Sequence, residues 1–98
     1  MATTFEDLRQ LLIEIITEIQ TGSGRPTPEI DGDLCPIGDL DGFDSLNGLE
    51  VSCELSQRLD YDIKPNLMVS TYPWKQLTIN EIVSRLQQAV EAQGGQLT

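Results

Sequence analysis

Ser45 is the residue best placed to do chemistry in this chain. It follows Asp44 at the end of a Gly-rich stretch and opens a segment with helical periodicity. A serine hydroxyl at a helix start is exposed and within reach of a large partner; taken alone, its plain reading is an ordinary helix cap. No histidine occurs among the 98 residues. Ser-His-Asp, Cys-His and zinc-hydrolase schemes therefore lack their parts. Cys35 and Cys53 match no Cys-x-x-Cys spacing, and no metal site is expected from them. Asp39, Asp41 and Glu50 occupy the first, third and twelfth positions of an EF-hand-like loop. Phe43 at the fifth position and Asp44 at the sixth, where the turn needs Gly, speak against calcium. Calcium binding nonetheless stands as an alternative, as does an unmodified helical adaptor.

Charge narrows the partners. Sixteen Asp and Glu against six Lys and Arg give a formal charge of −10. Such a field repels nucleic-acid phosphates and anionic lipid and attracts proteins with basic patches. Solubility alone is the other explanation of the acidity. No apolar run approaches the ~18 residues of a membrane span. The first residues, MATTFEDLRQ, carry neither the basic nor the apolar region of a secretory leader. A cytoplasmic protein with reduced thiols is expected.

The elements that must position Ser45 read as helices. Apolar usage of 39% and charged usage of 22% fit one globular domain over residues 1–98. Thr4 with Asp7 resembles a capping box, and Phe5, Leu8, Leu12, Ile15, Ile16 and Ile19 form one stripe, predicting a helix over 4–20. Residues 21–44 hold three prolines and five glycines, a long loop of the kind that is functional or mobile. A second helix is predicted over 45–59 and a short one over 65–71, opened by Pro65. Thr78-Ile79-Asn80-Glu81 is a capping box for a last helix over 79–93, with Ile79, Ile82, Val83, Leu86, Ala89 and Val90 in one stripe. The fold class is all-α: three main helices and one short one, with a long loop between the first and second.

The helix from Ser45 has two apolar faces. At ~100° per residue, Val51, Leu55 and Leu59 share one side, while Leu46, Leu49 and Cys53 lie on another beside Glu50 and Glu54. Burying both sides would enclose Glu50 at a cost. The second side is therefore expected to face outward, as a docking patch for basic partners. Gly48 and Ser52 on the inner side leave room for a chain or permit close packing, and packing is favoured.

Asp39-Leu40-Asp41-Gly42-Phe43-Asp44-Ser45-Leu46, followed by Leu49-Glu50-Val51 and Leu55, resembles the signature of the acyl carrier protein family, Asp-Leu-Gly-x-Asp-Ser-Leu leading into an acidic amphipathic helix. The likeness extends to the long first loop, the weak third helix and the Leu77-Thr78-Ile79 entry to the last one. It implies a monomeric carrier whose Ser45 receives 4′-phosphopantetheine from coenzyme A through a phosphopantetheinyl transferase. The thiol of that arm would hold acyl or aminoacyl groups as thioesters for partner enzymes with basic docking patches. Asp44 would help position the incoming group and its metal on the transferase; Leu46 would contact partners. A helix start would set the phosphodiester near unpaired N–H groups. Two departures stand out. Asp41 separates Leu40 from Gly42, so the Leu40 anchor is expected to shift. Tyr72-Pro73-Trp74 is bulkier than the family pattern, filling core or reshaping an acyl pocket, with core favoured. Gly-Phe-Asp-Ser-Leu leans towards acyl or polyketide cargo over peptidyl.

Overall fold

The computed structural model describes residues 4–65, 67–68 and 76–92, and among them the chain is all-α with no strand. The elements are α1 (Phe5–Gly22), α2 (Pro36–Asp39), α3 (Ser45–Leu59) and α4 (Ile79–Ala92), with α1 packed against both α3 and α4. Helix α1 begins where Thr4 caps it: Thr4 Oγ1 accepts from the N–H of Asp7 and Asp7 Oδ2 accepts from that of Thr4. Its end lies two residues beyond the predicted one, closed by the Ser23 N–H donating to the Ile19 carbonyl. Leu8, Leu12, Ile15 and Ile16 are buried, whereas Phe5 and Ile19 at the ends of the stripe are only half-buried. Gln20, one turn beyond Ile16, takes the buried place instead, at 0% exposure.

Helix α4 has the Thr78–Glu81 capping box, and Ile79, Ile82, Val83, Leu86 and Val90 are buried. It is described to Ala92. Its first free N–H groups go to the long loop: Ile79 donates to the Leu34 carbonyl at 2.9 Å and Asn80 to that of Gly32 at 3.0 Å. The expected 21–44 loop is therefore pinned to the start of α4, and it carries its own helical turn, α2. There Pro36 opens the turn and Gly38, at φ 120°, takes a conformation that other residues rarely adopt.

Helix α3 starts and ends where its periodicity places it, Ser45 to Leu59, and Asp60 in the left-handed region closes it. Val51 and Leu55 are fully buried, and Leu59 is half-buried. A Cβ at Gly48 would sit 3.5 Å from Met68 Cβ and 3.6 Å from Ile37 Cδ1. The small inner residues thus serve close packing. Of the short helix expected over 65–71, only Pro65, Leu67 and Met68 are described. They form a turn in which Leu67 donates to the Lys64 carbonyl. The rest, and Tyr72-Pro73-Trp74, lie outside the described residues.

Candidate functional site

The Ser45 hydroxyl is free because its neighbour does the capping. Asp44, with extended backbone, is the N-cap, and Ser45 is the first helical residue. Asp44 Oδ1 accepts from the N–H groups of Leu46 at 3.0 Å and Asn47 at 3.2 Å. Asn47 Oδ1 accepts from the Asp44 N–H at 3.2 Å, completing a reciprocal box. Ser45 is exposed, and its side chain makes no hydrogen bond among the described residues. The structure corrects one expectation here: two N–H groups expected to stand unpaired near a phosphodiester are held by Asp44. The helix dipole remains as a weaker attraction for an anion.

Asp41 sits in a four-residue turn. Phe43 donates its N–H to the Leu40 carbonyl at 3.2 Å, and Asp41 and Gly42 are the two central residues, Gly42 at φ 71°. A positive φ at the third position of a turn is the reason for glycine there. Leu40 is buried in the core, as is Phe43, 4% exposed, on the other side of the turn. These two anchors leave Asp41, Gly42, Asp44 and Ser45 at the surface.

A polar network braces the turn from behind. Gln20 Nε2 donates to the Asp41 carbonyl at 2.9 Å. Arg25 Nη1 donates to Gln20 Oε1 and to Asn47 Oδ1, each at 3.1 Å. Asn47 Nδ2 in turn donates to Glu50 Oε1 at 3.1 Å. A buried amide needs such partners. Sequence reasoning missed Gln20, Arg25 and Asn47. Only Asn47 left a signal, three positions after Asp44 where a capping box puts an amide or acid.

The residues read from the sequence as a docking patch lie side by side on α3. Leu46, Leu49, Glu50, Cys53 and Glu54 share one face of α3 at helical spacing. Leu46 is 68% exposed and Leu49 40%, and Glu50 and Cys53 are exposed. Glu54 is half-buried and not independent: Arg58 Nε donates to it at 3.3 Å while Arg58 Nη2 reaches Glu18 on α1 at 3.0 Å. Leu46, Leu49 and Cys53 are thus an apolar strip edged by carboxylates of which one is already paired.

Both thiols are free. Cys35, half-buried before α2, is pushed up by burial and then by Asp39 and Glu81. Asp39 Oδ2 accepts from the Cys35 N–H at 2.8 Å. Among the described residues no three His, Cys, Asp or Glu side chains are grouped to hold a metal ion, Asp39, Asp41 and Glu50 included. Nor is any described helix long and apolar enough to cross a membrane. A groove of about 500 Å³ lies between α4 and the segment after α3, lined by Asp62, Lys64, Leu67, Arg85 and Ala89.

No protein-family model, curated protein or solved structure matches this chain.

Proposed function

We propose that this chain is a carrier protein that takes a 4′-phosphopantetheine arm on Ser45 and presents acyl or aminoacyl groups to partner enzymes, catalysing no reaction itself. One observation carries the reading: an exposed serine at the first position of a helix whose cap is supplied by the preceding aspartate. A serine needed only as a cap would hold those N–H groups itself. The residues fit the group, since Ser45 Oγ can be esterified without breaking any contact. When bound, the arm supplies a terminal thiol that holds cargo as a thioester.

Loading requires Ser45 Oγ to attack the pantetheine-bearing phosphorus of coenzyme A. An O–P bond forms, the pyrophosphate P–O bond breaks and adenosine 3′,5′-bisphosphate leaves. The hydroxyl proton passes to a base on the transferase, because this chain has no histidine to take it. Asp44 caps with Oδ1 alone, which leaves Oδ2 to face a cation brought by the transferase. Leu46, Leu49 and Cys53 supply apolar contact, and Glu50 and Glu54 supply charge for basic docking patches. A cytoplasmic monomer goes with this reading, as does fatty acyl or polyketide cargo.

Intact-protein mass spectrometry tests it. Incubation with coenzyme A and a broad-specificity phosphopantetheinyl transferase is expected to add one arm to the wild type and none to Ser45→Ala. An unmodified wild type would reject the carrier reading and leave an adaptor.

A further inference from the structure

We infer that Arg25 is a positioning residue for the loading of Ser45, acting through Asn47 and the turn that precedes the serine. The inference rests on the carrier reading. It begins with an arginine in an unusual setting. Arg25 is half-buried in a strongly acidic chain, yet among the described residues it forms no ion pair with a carboxylate. Its Nη1 is spent on two neutral amide oxygens, those of Gln20 and Asn47.

Each of those amides holds one side of the site. Gln20 grips the Asp41 carbonyl in the middle of the Leu40–Phe43 turn. Asn47 Oδ1 accepts from the Asp44 N–H, and two further contacts hold the amide that way round: Arg25 Nη1 donates to the same oxygen and Glu50 Oε1 accepts from Nδ2. Were the amide to turn over, the Asp44 N–H would lose its acceptor and the reciprocal cap would open. The Arg25 side chain also lies over Gly42: a Cβ there would come 2.7 Å from Nε and 3.0 Å from Cδ. Arg25 therefore joins the end of α1, the turn with Asp41 and the first turn of α3. Ser45 is the residue between the capping Asp44 and the braced helix.

The consequence is geometric. Docking depends on the Leu46–Glu54 face, whereas the transfer step depends on where Ser45 Oγ and Asp44 point once docked. Small misplacement of a reacting atom slows the step more than it weakens binding.

Arg25→Met keeps the aliphatic cover over Gly42 and donates no hydrogen bond. Arg25→Lys keeps a cation with three donors. With the transferase and coenzyme A, Arg25→Met is expected to lower kcat for carrier loading about tenfold or more, with KM within about twofold. Arg25→Lys should recover part of the loss. Both are assayed well below their Tm. Amide hydrogen exchange at Leu46 and Asn47, read without the transferase, should quicken in Arg25→Met and less in Arg25→Lys. A lowered Tm with wild-type kcat and exchange would make Arg25 merely structural and overturn the inference. A rise in KM alone would also overturn it, by assigning Arg25 to docking. A wild type that takes no arm would remove the carrier reading and this role with it. Wild-type loading with Arg25→Met indistinguishable from it would remove this role only.

Discussion

Gln20 gives the most demanding test of how the loop is held. Its side chain is fully buried on the apolar face of α1, where a leucine or isoleucine would satisfy the helix pattern. Gln20→Met keeps the length and shape of the side chain and removes both hydrogen bonds. The bond to the Asp41 carbonyl contributes about 1 kcal/mol and the one from charged Arg25 about 1.5–3 kcal/mol. Asp41 is exposed and Arg25 half-buried, so water replaces part of what they lose. A net destabilisation of about 2 kcal/mol remains, equivalent to a fall in Tm of about 10 °C for a domain of this size. Thermal and urea unfolding followed by circular dichroism reads it. A double-variant cycle with Arg25→Met adds a sharper condition: two residues sharing a bond should lose about 1 kcal/mol less together than the sum of their separate losses. An unchanged Tm in Gln20→Met, or strict additivity in the cycle, refutes the bracing argument.

Further outcomes follow from the same contacts. Ser45→Ala removes no hydrogen bond and should leave unfolding within about 0.5 kcal/mol of wild type, whereas Asp44→Ala loses the cap and should cost about 1 kcal/mol; denaturant titration compares them. Reversing Glu50 and Glu54 to Lys should weaken transferase turnover and flatten its dependence on salt. Because Arg58 already pairs with Glu54, most of that effect should appear in Glu50→Lys alone, and identical kinetics at low and high salt would discount the surface. Alkylation near pH 8, followed by peptide mass spectrometry, should label Cys53 before Cys35. Burial and the carboxylates of Asp39 and Glu81 raise the Cys35 thiol, so less of it is thiolate at that pH, and its labelling should quicken as pH rises. Equal rates on the two thiols would contradict that order.

The main helices and their two Thr-led capping boxes were legible because a 3.6-residue period and a three-residue cap spacing are local patterns. So were the start of α3 and its outward face, since Leu46 and Leu49 could not join Val51 and Leu55 on one side. Gln20 was illegible for the opposite reason. A polar residue reads as exposed unless its partners are known, and those partners, Arg25 and the Asp41 carbonyl, are set by how the chain folds back. The turn around Asp41 was illegible as well, because the bond that closes it runs between the backbone groups of Leu40 and Phe43. The hold of residues 32–34 on α4 uses backbone carbonyls, which leave no trace in side-chain identity.

That hold makes the connector part of the last helix's foundation. The carbonyls of Gly32 and Leu34 finish a helix that begins more than forty positions later in the chain, so prying this stretch loose would fray α4 at its root. A protease nick or a short insertion near Thr27 should be tolerated, while the same change at Asp33 should propagate into the packing of Ile79 and Ile82. The long passage between the first two main helices is in this sense a clasp fastening a third.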